Sequence, residues 1–217
     1  MSKRFLIVIL VCVLGLVGVY AATSKKDSKD TGNNSAPSNS KLSNHVTGSN
    51  AKKVTLVEYG DFQCPACGAY FPVLKQVKEK YANDIQFQFR NFPLSQIHQN
   101  ARASSRAAEA ASKQGKFWEM HDLLYEQQSS WESSSDATSI FEGYAQQIGL
   151  NITQYKTDFS SNEVNATINA DYAEGTKLGV NSTPTFFLQG EKITEAPKDL
   201  DGFVKLIDQA IKDAAKQ

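Results

Sequence analysis

Two cysteines three residues apart, Cys64 and Cys67, constrain this chain more than any other feature. They lie where an extended run, residues 54–59, gives way to a predicted helix. The i, i+3 spacing brings both sulfurs within bridging distance on one helical turn. The first thiol then lies beside the unpaired N–H groups that begin a helix, where a thiolate is stabilised. The pattern predicts a reversible dithiol/disulfide centre, with Cys64 as the more exposed and attacking sulfur and Cys67 as the resolving thiol.

The rest of the composition narrows the chemistry of this pair. The chain has 23 basic and 23 acidic residues and no basic stripe, so nucleic acid is not an expected partner. The third cysteine, Cys12, lies in an apolar N-terminal run, whereas a disulfide-stapled secreted scaffold would contain more cysteines. A zinc site would need further ligands. His98 and His121 are 23 residues apart with no evident third ligand, so we expect them to pack or to cap helices. We expect no metal and no cofactor.

The N-terminus carries a targeting segment. Lys3 and Arg4 precede residues 5–22, which contain no charge. This pattern predicts either a signal-anchor transmembrane helix over residues 1–22 or a cleaved signal peptide with its cleavage site after residues 19–21. In both cases we expect the rest of the chain to be exported.

Residues 23–50 are predicted to form a flexible polar linker. They are rich in Lys, Asp, Ser and Asn, and their only sizeable apolar residues are Leu42 and Val46. So few apolar residues cannot offset the entropy of ordering a segment of this length. His45 lies in this segment and is expected to have no specific role.

The folded domain is predicted to span residues 51–217. A buried strand over residues 54–59 is followed by a helix with Pro65 in its first turn, where a missing N–H costs nothing. Apolar residues then alternate with polar ones over residues 85–90, which predicts a second strand. This order predicts a right-handed unit of two parallel strands joined by a helix.

The second half of the domain begins with helical patterns over residues 97–179, including a helix capped by Asp136. Strand patterns return at residues 185–188 and 192–194, and a final amphipathic helix includes residues 203–211. The sequence therefore predicts an α/β domain with an all-helical insertion between its two halves.

This order of elements, with Cys64-Pro65-Ala66-Cys67 at the start of a helix, resembles the thioredoxin fold, in which helices flank a central mixed sheet. With its helical insertion the chain resembles the DsbA-like thiol–disulfide oxidoreductases of exported bacterial proteins, over residues 53–214. Pro72 matches the kink of the family's active-site helix. Residues 98–121 look like the Gram-positive and related branch of that family.

The resemblance implies roles for three further residues. Residues 182–186 resemble the family's Thr-Pro segment, in which Pro184 is cis and faces the cysteines. It implies that substrate pairs with the backbone of Thr183 and contacts Pro184, together with Pro65 and Ala66. Glu58 matches the family's buried acid, which would accept the proton of Cys67 through water.

Two points are left open by the sequence. Glu58 could instead form an ordinary ion pair with Lys52, Lys53 or Arg90. The residues between the cysteines are Pro-Ala, whereas the family's best-known strong oxidants carry Pro-His, and a histidine there would favour the reduced thiolate further.

The expected function is a dithiol oxidase that introduces disulfides into reduced, unfolded exported proteins. The family implies a membrane quinone-linked oxidase, of the DsbB or vitamin K epoxide reductase type, as its reoxidant. An isomerase or reductase of the same fold is one alternative, although family isomerases typically carry an N-terminal dimerisation domain. A non-catalytic, thioredoxin-like binding or chaperone module is the other.

Overall fold

A computed structural model describes residues 41–216 of the chain. The predicted targeting segment, residues 1–22, and most of the predicted linker lie outside the described residues. Within residues 41–216, no helix combines the length and the apolar character that crossing a membrane requires.

The described residues form one five-stranded mixed sheet in the order β1-β3-β2-β4-β5. The central strand β2 is parallel to β3 on one side and antiparallel to β4 on the other. Central position explains why β2 is buried on both faces. The strands are β1 (His45–Thr47), β2 (Thr55–Gly60), β3 (Gln86–Asn91), β4 (Thr185–Leu188) and β5 (Glu191–Lys192).

The predicted strand–helix–strand unit is confirmed. Helix α1 (Pro65–Lys80) connects β2 to β3 and continues through Pro72. The two strands pair in parallel from Thr55 opposite Gln86 to Gly60 opposite Asn91. Alternate residues of β3 are buried, as the sequence pattern indicated.

The predicted helical insertion is also confirmed, with more helices than the periodicity showed. Asp136 caps one of them through a hydrogen bond from the Ser139 N–H, as predicted. Two helices, Gln128–Trp131 and Ile152–Ser160, were not predicted, because the first is a single turn and the second is short with only Tyr155 buried. The insertion contains α2 (Ala101–Ser112), α3 (Phe117–Glu126), α4 (Gln128–Trp131), α5 (Ala137–Gln147), α6 (Ile152–Ser160) and α7 (Asn162–Lys177).

The second half of the fold completes the sheet. The β4–β5 hairpin turns at Gln189 and Gly190, which both have positive φ. Helix α8 (Leu200–Ala214) then buries Phe203 and Ile207 against the same face of the sheet as α1. The α/β class with a helical insertion is therefore confirmed.

One boundary of the predicted linker is wrong. Residues 45–47, assigned to the flexible linker of residues 23–50, form β1 and pair antiparallel with β3. The Ser43 N–H donates to the buried carboxylate of Asp171 (3.0 Å), and the Arg90 guanidinium donates to the Ser43 carbonyl oxygen. Composition could not reveal this strand, because polar side chains far away in sequence satisfy its polar groups.

The expectation that His45 has no specific role is also wrong. The ring is buried and stacks on Phe117 with 3.4 Å between ring centroids. Its Nε2 lies 2.6 Å from the Glu109 carboxylate, which also accepts from the side-chain amide of Asn91 (2.6 Å). His45 therefore fixes the start of the described chain to the helical insertion.

Candidate active site

Local sequence explains where the two cysteines lie. Cys64 is the N-cap of α1, with extended backbone angles (φ −67°, ψ 121°), and Pro65 follows at the first helical position. Both cysteines are thiols in this structure. Cys64 is 6% exposed and Cys67 is fully buried, so the prediction that Cys64 is the more accessible sulfur agrees with the structure.

The Thr-Pro segment lies against the first cysteine. The Thr183–Pro184 peptide bond is cis, and the Cys64 thiol donates to the Thr183 carbonyl oxygen at 3.3 Å across 119 residues of sequence. The Thr183 hydroxyl is buried and has no hydrogen-bond partner among the described residues. Pro65 and Ala66 are exposed beside this contact. The structure therefore brings together the residues expected to bind substrate.

The environment of Cys64 favours its thiolate. Its pKa falls from an ordinary value of 9.0 to about 5. The largest cause is a hydrogen bond from the Cys67 thiol, and the backbone N–H groups of Cys67 and Ala66 add to it. Burial opposes these effects but is outweighed. Local hydrogen bonds to the sulfur therefore stabilise the thiolate more than helix position alone would indicate.

Cys67 behaves in the opposite way. Burial raises its pKa well above the ordinary 9.0, and the hydrogen bond to Cys64 and the nearby Glu58 raise it further. One cysteine is therefore ionised at neutral pH and the other keeps its proton. This asymmetry is what a dithiol needs if one sulfur is to leave easily and the other is to be reprotonated.

Glu58 is the buried acid of the site. It lies on β2 with 1% exposure, and burial raises its pKa from 4.5 to about 8, with a further contribution from Cys64. Its Oε1 has no hydrogen-bond partner in the described part of the chain. The alternative of an ion pair with Arg90 is wrong, since Arg90 pairs with Asp171 at 3.4 Å. Lys52 and Lys53 are exposed and form no salt bridge with Glu58 within residues 41–216.

Lys78 is a residue of this region that sequence reasoning missed. Its positive charge lowers the pKa of Glu58 and so partly opposes burial. The ammonium group lies over the rings of Trp118 (4.7 Å) and Phe87 (5.5 Å) and pairs with Asp122 at 3.6 Å. The sequence around Lys78 did not indicate this role, because the aromatic rings that surround the ammonium group come from β3 and α3 and approach it only in the folded protein.

Asp61 is a second missed residue. Its buried carboxylate accepts from the N–H groups of Gln63 (2.8 Å) and Leu94 (3.0 Å) and contacts His98 Nδ1 at 2.7 Å. Its carbonyl oxygen accepts from the Cys64 N–H at 3.0 Å. Asp61 therefore ties the loop after β3 to the loop that precedes the cysteines, and His98 acts in that packing.

His121 packs in the core of the insertion, as expected. It is buried against the rings of Trp118 (5.0 Å) and Phe62 (5.6 Å), and its Nδ1 contacts Asp122 at 2.8 Å. Burial lowers its pKa to about 4, so the ring is neutral at neutral pH. In the part of the chain that the structure describes, no three His, Cys, Asp or Glu side chains are grouped so that they could hold a metal ion.

A family model described as "Thioredoxin" matches residues 40–209. The match begins close to β1, which agrees with the ordered segment that composition alone did not reveal.

Curated relatives share part of their length with this chain. The Na(+)/H(+) antiporter NhaA 1 of Salinispora arenicola is 35% identical over 148 residues, which are 68% of this chain and 22% of the relative. The antiporter NhaA 1 of Mycobacterium sp. strain KMS is 32% identical over 166 residues, which are 76% and 26%. The chain thus spans about a quarter of the length of these relatives.

Solved structures have the same fold. A thioredoxin-like oxidoreductase from Silicibacter pomeroyi is 26% identical, with a TM-score of 0.64 over 77% of this chain and 91% of that one. Oxidised BdbD from Bacillus subtilis (22%, TM-score 0.67, 77% and 92%) and alpha-DsbA1 from Wolbachia pipientis (19%, TM-score 0.68, 80% and 95%) share the fold. The chain therefore belongs to the thioredoxin family, and it shares its fold with solved structures of DsbA-like proteins.

Proposed function

We propose that this protein is an extracytoplasmic dithiol oxidase, which transfers its Cys64–Cys67 disulfide to reduced exported proteins. The observation that carries the proposal is the low pKa of Cys64, about 5, beside the high pKa of Cys67. A thiol with a low pKa is a good leaving group, and a stabilised thiolate favours the reduced pair, which makes the disulfide oxidising. With alanine at position 66, the largest contribution to the low pKa of Cys64 is the hydrogen bond from the Cys67 thiol.

The first step is attack by a substrate thiolate on the Cys64 sulfur of the oxidised protein. The Cys64–Cys67 bond breaks, a mixed disulfide forms, and the electron pair leaves on Cys67. Because the pKa of Cys67 is raised by burial, this sulfur takes up a proton. Glu58 is the nearby group that supplies it, since burial keeps its carboxyl protonated up to a pH of about 8.

The second step releases the product. Another substrate thiolate attacks the substrate sulfur of the mixed disulfide, the substrate disulfide forms, and Cys64 leaves as a thiolate. The substrate loses two electrons and the protein gains them as one thiolate and one thiol. At pH 7 a group with a pKa near 5 is ionised by roughly a hundred to one, so Cys64 leaves without needing a proton.

Substrate binding would use the exposed surface around Cys64. An extended segment can pair with the backbone of Thr183, whose carbonyl oxygen lies 3.3 Å from the Cys64 sulfur, and lie over Pro184, Pro65 and Ala66. Main-chain pairing of this kind is tolerant of sequence. This suits an enzyme that acts on many unfolded chains.

The proposal places the domain outside the cytoplasm, tethered by residues 1–22 as a signal anchor or released after their cleavage. Support comes from the uncharged residues 5–22 behind Lys3 and Arg4. Each turnover leaves the pair reduced, so a membrane quinone-linked oxidase would have to remove the two electrons.

Incubating the oxidised protein with a reduced, unfolded cysteine protein tests the proposal. Disulfides should appear in the substrate, and Cys64→Ser should abolish their formation. A mostly reduced pair in the cell, trapped with an alkylating reagent, would instead indicate an isomerase or reductase. If the oxidised wild-type protein transfers no disulfide, while a Cys64→Ala, Cys67→Ala variant still prevents aggregation, the protein is a binding module and the proposal fails.

A further inference from the structure

The helical insertion contacts the backbone of the active-site loop through one glutamine. Gln128, the first residue of α4, is partly buried. Its side-chain amide donates to the carbonyl oxygens of Phe62 (2.7 Å) and Cys64 (3.0 Å). The two N–H bonds of this neutral amide therefore bind the carbonyls of Phe62 and Cys64, which lie on either side of Gln63.

The first turn of α1 is shaped to receive this side chain. A Cβ atom at Gly68 would lie 2.5 Å from the Gln128 Oε1 and 3.1 Å from its Cδ. Only glycine at this position lets the amide approach so closely, and Gly68 directly follows Cys67. A larger residue would displace the flexible end of Gln128, because the three atoms nearest to the added Cβ all belong to that side chain.

Two further side-chain amides, those of Gln63 and Asn100, connect the active-site loop to the helical insertion. Gln63 donates to the Glu132 carbonyl (2.7 Å) and accepts from the Asn100 N–H (2.6 Å). The Asn100 side chain donates to the carbonyls of Trp131, Glu132 and Ser134. The segment before Cys64 is thus attached to the turn that follows α4, which limits how Gln128 can move relative to the cysteines.

The Cys64 carbonyl matters for the chemistry because it begins the helix. It accepts from both the Gly68 N–H (3.1 Å) and the Gln128 amide (3.0 Å). The turn from Cys64 to Gly68 contains the N–H groups of Ala66 and Cys67, which donate to the Cys64 sulfur. A shift of this turn would move those donors and the Cys67 thiol away from the sulfur together.

We infer that Gln128 is a positioning residue for thiol–disulfide exchange: by holding the carbonyls of Phe62 and Cys64, it fixes the turn whose donors stabilise the Cys64 thiolate. The inference rests on the proposed function, because it concerns the oxidising strength of the same pair. It assigns part of that strength to the helical insertion and not to the residues between the cysteines.

The test compares full-length wild type with Gln128→Ala, Gln128→Glu and the control Gln127→Ala, whose side chain is exposed. Three quantities are measured: the pH at which Cys64 ionises, by thiolate absorbance; the equilibrium constant against glutathione; and the melting temperature of both redox forms. Losing one to two hydrogen bonds of about 1 kcal/mol each corresponds to roughly a fivefold to thirtyfold change in an equilibrium constant. We expect Gln128→Ala to raise the ionisation pH and to make the disulfide less oxidising by up to that factor.

Gln128→Glu should have a larger effect than Gln128→Ala, since a carboxylate would face two carbonyl oxygens with no N–H to donate. Gly68→Ala should imitate Gln128→Ala in wild type but have no further effect on Cys64 in the Gln128→Ala background, where space is free. The single Gly68→Ala variant keeps Gln128, so its result does not depend on the folding of the Gln128 variants.

Two results separate failure of the inference from failure of the proposed function. If Gln128→Ala and Gly68→Ala lower the melting temperature but leave the Cys64 ionisation and the glutathione equilibrium as in wild type, Gln128 is only structural and the inference is wrong. If Cys64 of the wild type itself ionises like a free cysteine, the proposed function fails first.

Discussion

Replacing Cys67 by alanine tests the physical basis of the site. The low pKa of Cys64 has the hydrogen bond from the Cys67 thiol as its largest cause, ahead of the backbone N–H groups. Cys67→Ala removes that donor and leaves the helix start, Pro65 and the Thr183 contact in place. We therefore expect the pKa of Cys64 to rise substantially in this variant.

The size of the rise follows from the strength of the bond. A hydrogen bond to a charged group is worth about 1.5–3 kcal/mol. Because a tenfold change in ionisation equals about 1.4 kcal/mol, the pKa of Cys64 should increase by roughly 1–2 from its value of about 5. It should still lie below the ordinary 9.0, since the backbone N–H donors of the first turn remain.

Thiolate absorbance against pH gives the pKa directly, and the rate of alkylation by iodoacetamide against pH gives an independent value. Cys64→Ala is the matched control, in which Cys67 alone should show no ionisation below its ordinary range, because burial raises its pKa. If Cys67→Ala leaves the Cys64 pKa unchanged while the variant stays folded, the helix start alone stabilises the thiolate. The hydrogen bond from the Cys67 thiol would then not be the main cause of the low pKa.

Three further variants probe the surrounding groups. Burial raises the pKa of Glu58 in the folded protein to about 8, so the folded protein keeps a proton that the unfolded chain releases above its pKa of 4.5. The contribution of Glu58 to stability therefore falls as the pH rises from about 4.5 to about 8. Glu58→Gln should therefore gain stability over wild type, by up to a few kcal/mol, between about pH 5 and about pH 8 in urea unfolding of the reduced protein. Lys78→Met should raise the pKa of Glu58 further, observed by carboxyl NMR, whereas Lys75→Met, an exposed lysine, should leave it nearly unchanged. His45→Ala leaves the buried Glu109 without its ring partner and should cost about 1–3 kcal/mol in thermal unfolding, without altering the ionisation of Cys64.

The central part of the fold could be predicted from sequence because its signals are local. Alternation along β3, the cysteine pair at the start of α1 and the run of β4 each lie in one short segment. The short strand β1 could not be predicted in this way. His45 in the strand is paired with Glu109, and Ser43 just before the strand is paired with Asp171, over 64 and 128 residues of sequence.

The candidate site likewise contains residues that the sequence could indicate and residues that it could not. Cys64, Cys67 and Pro184 were found from motif and resemblance, and the burial of Glu58 followed from its place on a central strand. Gln128 and Lys78 gave no signal, because a glutamine or lysine on a helix is ordinarily exposed. Their contacts with the active-site loop and with aromatic rings exist only once the insertion packs on α1.

The pKa values of Cys64, Cys67 and Glu58 are linked, and the linkage bears on the proposed oxidase function. A negative charge on Cys64 raises the pKa of both Glu58 and Cys67, so among these three groups the reduced site carries one negative charge near neutral pH, and it lies on Cys64. In the disulfide form that charge is absent, and the pKa of Glu58 falls. In the mechanism proposed above, Glu58 gives its proton to Cys67 and takes up another from solvent once Cys64 has become a thiolate, since that charge raises the pKa of Glu58 again. If the protein is an oxidase as proposed, the driving force comes from ionising Cys64 beside hydrogen-bond donors of the fold itself, with alanine at position 66.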